Sequence, residues 1–249
     1  EVEQMNLFKD MVCYQEEVRD PSRMAEVLNR VIEKAIRGSA PAQINVPRDY
    51  WTQVIDIELP PIIRLERQAG GAEAIEKAAK LLSDAKFPVI LSGAGVVIGG
   101  AIEECVKLAE KLDSPVCSGY QHNDSFPGSH PLAVGPLGYN GSKAGMQLIS
   151  KADVVLALGT RLNPFSTLPG YGIDYWPKNA KIIQVDINSD RIGLTKKVSV
   201  AICGDAKLVS QQLLAKLSPK AGDTDRQKRK DIIHQTKSAW LQELSSLDH

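Results

Sequence analysis

The sequence predicts an α/β protein built on a doubly wound parallel sheet, preceded by the C-terminal part of a second α/β unit. Three observations carry this prediction. From residue 72 onward, segments with helical and with strand periodicity alternate. The strand segments are near-continuous apolar runs, such as Val154-Val155-Leu156-Ala157-Leu158 and Ile182-Ile183-Gln184-Val185, as expected of strands covered on both faces. A Gly-rich turn, Ser92-Gly93-Ala94-Gly95, joins one of these strands to the next helix.

Each element has its own signal. Asp20 and Pro21 mark a helix start and Gly38 a stop. Between them Met24, Val27, Leu28, Val31, Ile32, Ala35 and Ile36 recur at helical spacing, which predicts one buried face. Ala42, Ile44 and Val46 alternate with polar residues and stop at Pro47, a short strand. This helix and strand hold too little apolar surface to stand alone, so their missing half is expected upstream of Glu1. Residues 51–71 mix prolines, charges and a Gly pair without periodicity and read as an interdomain linker.

Beyond the linker the reading is helix 72–82, strand 87–92, helix 101–112, strand 115–118, a long loop, helix 142–150 and strand 153–159. A second long loop follows, then strand 181–187, a helical turn near Asp190, strand 198–203 and helix 206–217. The tail from Ser218 is polar, and Trp240, Leu241 and Leu244 suggest a helix in need of a packing partner.

Composition narrows the function. Thirty basic and thirty acidic residues cancel without forming blocks, so the field needed to hold nucleic acid or an anionic membrane is missing. A small-molecule or protein partner is expected. The four cysteines, Cys13, Cys105, Cys117 and Cys203, are far apart, which disfavours metal cages and disulfides and fits a reducing cytoplasm. No apolar run approaches spanning length, and Glu1-Val2-Glu3-Gln4 shows no basic region leading into an apolar run, so neither export nor membrane insertion is expected. The chain does not begin with Met, and both ends are expected to be truncation points.

The candidate site residues lie where strands end. Gly93 and Gly95 follow a strand and precede a helix, but the next glycines are Gly99 and Gly100, so the dinucleotide fingerprint is incomplete. A phosphate-binding turn and a tight turn needing positive φ both remain open. Arg161 and Asp186 each close a strand, where open sheets bind ligands. Arg161 could hold a phosphate and Asp186 a ribose hydroxyl or adenine amine, or both could be cap and turn residues. Gln121, His122 and Asn123 stand in the first long loop, and loops of that length are usually functional or disordered. His122 and His130 have no Cys or carboxylate at ligand spacing, and no metal site is expected. Tyr171 and Trp176 stand in the second loop, the aromatic one, which suggests a covered pocket or plain packing. No Ser-His-Asp arrangement, zincin helix, P-loop or paired-carboxylate motif is present. A self-sufficient active site is not expected.

The Gly-Ala-Gly turn, Phe126-Pro127-Gly128-Ser129-His130-Pro131-Leu132, Gly159-Thr160-Arg161, Asp186-Ile187 and Gly204-Asp205 together resemble the Rossmann-like central domain of thiamine-diphosphate-dependent enzymes. The strings Ala42-Gln43-Ile44-Asn45-Val46-Pro47-Arg48-Asp49, Gly119-Tyr120-Gln121-His122-Asn123-Asp124 and Tyr171-Gly172-Ile173-Asp174-Tyr175-Trp176 are similar to the sulfoacetaldehyde acetyltransferase branch. The resemblance implies that residues 1–59 end a pyrimidine-binding domain, 60–69 link, 70–217 form the central domain, and 218–249 lead towards a diphosphate-binding domain. It implies a homo-oligomer that uses thiamine diphosphate and Mg2+, bound mainly outside this chain, to turn sulfoacetaldehyde and phosphate into acetyl phosphate and sulfite. The activating glutamate and the Gly-Asp-Gly motif of such enzymes do not occur here, so no catalytic residue is expected in the chain. Lys9 matches a lysine that lines the substrate channel in related acetolactate synthases, with a plain surface lysine as the alternative. Some relatives bind FAD in the central domain and others leave it empty; the empty form is favoured here.

Overall fold

The computed structural model describes residues 2–61, 65–218 and 222–246. Parts of both expected linkers, residues 62–64, 219–221 and 247–249, lie outside the described residues, as does Glu1. The chain divides into two compact units, Glu1–Leu65 and Glu66–His249.

The first unit holds α1 (Gln4–Phe8), β1 (Tyr14–Glu17), α2 (Met24–Gly38) and β2 (Ala42–Asn45), with β1 and β2 paired in parallel. The sequence gives no apolar signal for β1 because its side chains pair through polar groups. Gln15 Nε2 donates to Gln43 Oε1 at 2.7 Å, Asn45 Nδ2 to Glu17 Oε2 at 3.1 Å, and Arg30 clasps both oxygens of Glu16 at 2.8 and 2.9 Å. Asp20 caps a 3-10 turn that leads into α2, accepting from the Ser22 amide at 2.9 Å. The helix stop falls one residue later than the sequence indicates: Gly38 is still helical, and Ser39 takes the left-handed position at φ 46°. Only Val27 and Val31 of the predicted apolar stripe are buried, together with Val18, while Leu28, Ile32 and Ile36 remain exposed. One face of the stripe serves this small core and the other does not.

The second unit is built on α3 (Ala72–Asp84), β3 (Pro88–Ser92), α4 (Ala94–Ile98), α5 (Ile102–Leu112), β4 (Val116–Gly119), β5 (Ala133–Leu137), α6 (Lys143–Ile149) and β6 (Val154–Leu158). It is completed by β7 (Lys181–Asp186), β8 (Val200–Cys203), α7 (Ala206–Lys216) and α8 (Asp223–Ser245). Six strands pair in parallel in the order β5-β4-β3-β6-β7-β8. Renumbered from β3, this is the doubly wound order 3-2-1-4-5-6, whose chain reverses direction across the sheet between β3 and β6. Every residue of β3 and β6 is buried. The helices α5 and α3 both pack on α7, and α6 packs on α8.

The long loop expected after β4 contains β5, which among the described residues is an edge strand paired with β4 alone, through an irregular register. Its Gly135 and Pro136 suit an edge, where one side of the ladder needs no donor.

The C-terminal helix α8 is held by charge as well as by Ile233, which is buried in the main core with Ile232 packed beside it. Arg229, 3% exposed, donates to the carbonyls of Lys86, Leu112 and Asp113 at 2.6, 2.8 and 2.9 Å. Asp113, the left-handed cap of α5 at φ 46°, is hydrogen-bonded to Arg226 and lies 3.1 Å from Lys230. Burial pushes the Asp113 carboxyl up, but Arg226 and Lys230 outweigh it and hold the group below its ordinary value of 3.8. A carboxylate with a depressed folded-state pKa stabilises above its unfolded pKa, and that contribution is lost as pH falls through the lower folded value. Acid titration of unfolding between about pH 5 and pH 2 should therefore show a loss of stability that Asp113→Asn flattens. Asparagine retains the left-handed conformation, so an equal acid slope in both proteins would remove Asp113 from the account.

Candidate functional site

The switch point lies between the carboxyl ends of β3 and β6, where two Gly-containing turns meet. The Gly93 amide donates to Leu158 O at 3.1 Å and the Gly95 amide to Gly159 O at 2.8 Å. A Cβ on Gly93 would stand 2.6 Å from both Gly159 O and Thr160 Cβ, and one on Gly95 would stand 2.7 Å from Gly159 Cα. Gly93 has φ −130°, ordinary extended backbone. The positive-φ reading of this turn is thereby corrected: close backbone approach, not left-handed geometry, requires glycine at position 93. Both amides are spent within the fold, so neither points at a ligand.

Around Arg161 the backbone is fixed on both sides. Leu162 is buried yet left-handed at φ 54°, a costly conformation for a bulky side chain. Its amide donates to Thr160 Oγ1 at 3.3 Å, and its carbonyl accepts from Thr195 Oγ1 at 2.7 Å. The Arg161 side chain itself is exposed. Asp186, at the end of β7, is buried and its Oδ1 accepts from the Asn188 amide at 2.9 Å, the bond of an Asx turn.

Gln121, His122 and Asn123 follow β4 at the same edge of the sheet. Asn123 Oδ1 accepts from Ser118 Oγ at 3.1 Å, His122 Nδ1 lies 3.9 Å from Asp124 Oδ1, and Gln121 is exposed. The loop after β6 carries Tyr171 and Trp176. The Tyr171 hydroxyl donates to Gly141 O at 2.9 Å and its ring meets Trp240 of α8 edge-on at 5.4 Å. Lys196 Nζ sits 4.6 Å above the Trp176 ring, a cation–π contact. Gly138, at φ 80°, lets this loop close down, since a Cβ there would meet Phe165 O at 2.0 Å.

The structure thus places Gly93, Gly95, Gln121, His122, Asn123, Arg161 and Asp186 at or just beyond the carboxyl ends of strands, while Tyr171 and Trp176 stand on the loop that runs from the end of β6 to the start of β7. Lys9 belongs to the first unit, exposed just after α1. That unit also contains a cleft of about 420 Å3 lined in part by Gln15, Glu16, Asp20 and Arg23. Its charges are already matched internally: Arg30 holds Glu16, and Ser22 holds Asp20 below its usual range. The residues the sequence does not single out are Gln184 and Thr195, which bond the loops after β6 and β7, while Trp240, marked only as an apolar residue of the tail, meets Tyr171. A polar side chain inside the apolar run of β7 is the one signal that marks Gln184.

A model of the family described as "Thiamine pyrophosphate enzyme, central domain" matches residues 75–213, essentially the six-stranded sheet and its helices. The chain belongs to the thiamine pyrophosphate (thiamine diphosphate) enzyme family. A Rhizobium meliloti (strain 1021) protein named "Probable sulfoacetaldehyde acetyltransferase" is 77% identical over all 249 residues, which make up 42% of that protein. The sulfoacetaldehyde acetyltransferase of Roseovarius nubinhibens is 76% identical over the same residues, 41% of its length. The chain therefore spans about two fifths of the curated relatives it matches. Among solved structures, benzoylformate decarboxylase from Polynucleobacter necessarius superposes with a TM-score of 0.73 at 22% identity, covering 90% of this chain and 42% of its own. That likeness is one of fold.

Among the described residues no three His, Cys, Asp or Glu side chains converge to hold a metal ion. No Gly-Asp-Gly string occurs anywhere in the sequence. Nor is any described helix long and apolar enough to cross a membrane.

Proposed function

We propose that this chain is the central section of a thiamine-diphosphate-dependent sulfoacetaldehyde acetyltransferase, which converts sulfoacetaldehyde and inorganic phosphate into acetyl phosphate and sulfite. The observation that carries the reading is 77% and 76% identity over the whole chain to proteins bearing that name. In this reading thiamine diphosphate and Mg2+ are held by parts of the full-length protein outside residues 1–249, and the chain alone is inactive. Residues 1–59 end the pyrimidine-binding domain, 70–217 form the central domain, and the remainder connects them to their neighbours. The full-length protein works as a cytoplasmic homo-oligomer, in keeping with four unpaired, scattered cysteines.

The chain's contribution is a rigid α/β body that presents loops. Gln121, His122, Asn123, Tyr171 and Trp176 sit on the loops assigned to the active-site side, and Lys9 supplies a cation towards the two anionic substrates. Nucleotide or FAD binding is not part of the proposal, because the amides of Gly93 and Gly95 and one oxygen of Asp186 are engaged within the protein. Arg161 is then a solvated edge residue.

The test is acetyl phosphate and sulfite formation from sulfoacetaldehyde and phosphate with added thiamine diphosphate and Mg2+. It compares residues 1–249 with the full-length protein that contains them. Activity in the long form alone is expected, and Lys9→Ala in that form should raise KM for sulfoacetaldehyde about tenfold, the loss of one charge-assisted contact. Absence of turnover in the full-length protein would reject the substrate, and turnover by the short chain would reject the division of labour.

A further inference from the structure

Among the described residues five non-glycine residues have left-handed backbone, and three of them, Asn140, Leu162 and Tyr171, lie on the loops that follow β5 and β6. The other two, Ser39 and Asp113, are helix C-caps. Strain of this kind persists only where surrounding contacts over-determine the chain. Two residues before Leu162, the carbonyl of Thr160 is held by one buried side chain in β7.

We propose that Gln184 is a positioning residue that locks the loop after β6 to the loop after β7, so that the two open or close as one body. Its carboxamide is 1% exposed and uses donors and acceptor together. Nε2 donates to Thr160 O at 3.1 Å and to Arg191 O at 3.2 Å, and Oε1 accepts from the Gly193 amide at 2.9 Å. One amide thereby fixes the peptide before Arg161 and the turn at residues 191–193, which needs Gly193 at φ 78°.

Two further contacts join the same loops: Thr195 Oγ1 to Leu162 O, and Lys196 over Trp176. A surface turn with its own hydrogen bonds would need none of these. A buried amide bound to three backbone groups is expensive to leave unpaired, so release of one loop strips partners from the other. The role of these loops in substrate binding rests on the proposed acetyltransferase reading; the coupling itself does not.

Native-state trypsin digestion reads the coupling directly. Cleavage after Arg161 requires buried Leu162 to leave its site, cleavage after Arg191 requires the second loop to open, and Lys107 within α5 reports global unfolding. Gln184→Leu, close in volume but without hydrogen bonds, should raise cleavage after Arg161 and Arg191 together, each roughly tenfold, with Lys107 unchanged. Thr195→Val, which leaves the core intact, should raise the same pair of sites by a smaller factor and keeps the test open where Gln184→Leu does not fold. A rise after Arg191 alone, or an equal rise after Lys107, overturns the proposal. In the full-length protein, Gln184→Leu should raise KM for sulfoacetaldehyde about tenfold with kcat within about twofold. A full-length wild type without acetyl phosphate formation would sink the acetyltransferase reading and leave the digestion result to judge Gln184.

Discussion

Gly93→Ala is expected to destabilise the chain by about 3 kcal/mol in the absence of any nucleotide, the upper range for forcing a methyl into packed space. The added Cβ would lie 2.6 Å from Gly159 O and from Thr160 Cβ, and neither can retreat cheaply. Gly159 O is committed to the Gly95 amide, and Thr160 O to Gln184. Relief would have to come from parting β3 and β6 at the centre of the sheet, where both strands are wholly buried. Urea unfolding of Gly93→Ala beside Gly128→Ala separates the possibilities, since a methyl added at Gly128 would meet nothing within 4 Å. A glycine kept so that a phosphate can approach would show the opposite pattern, with apo stability intact and binding of FAD or ADP lost. Equal stability of the two variants would therefore restore the ligand reading of the Gly-rich turn and remove the packing one.

How far the sequence could be read depends on whether a residue's role is local. The central strands were legible because burial on both faces leaves an uninterrupted apolar run, and the ends of those runs located Arg161 and Asp186 on the correct edge. The strands β1 and β5 were not legible for two different reasons. In β1 the pairing chemistry is polar, Gln15 to Gln43 and Glu17 to Asn45, and imitates a loop. In β5 the Gly and Pro that an edge tolerates are the residues that usually signal a turn. Helix α2 failed in the opposite direction, since periodicity reports that a stripe is apolar but not what covers it, and Leu28, Ile32 and Ile36 are exposed. At the edge itself the sequence found the residues that end strands. It could not find Gln184 or Thr195, whose partners include Thr160 and Leu162, 24 and 33 positions away.

The same limit explains the second large effect, expected for Arg229→Met. The polar tail offered reason to expect a helix only through Trp240, Leu241 and Leu244, and Leu241 and Leu244 prove exposed. Besides Ile233, buried in the main core, docking depends on a guanidinium that reaches three backbone carbonyls. Two of them, Leu112 O and Asp113 O, belong to the C-terminal end of α5, where carbonyls have no partner within their own helix. Arg229 thus caps one helix while fastening another, and desolvation weakens its hold on its proton only partly because Asp113 stands beside it. Methionine would keep much of the aliphatic packing but leave the carbonyls unpaired and Asp113 with less compensation. The expected cost is about 3–5 kcal/mol, the range for breaking a buried charged cluster from one side. Because α8 lies at the end of the unit, the loss should appear first as local release. In hydrogen exchange, amides of residues 226–245 should lose protection while those of β3 and β6 keep theirs. If all of them fell together, α8 would have to be counted as part of the cooperative core; if α8 alone stayed protected, the arginine would not be its anchor.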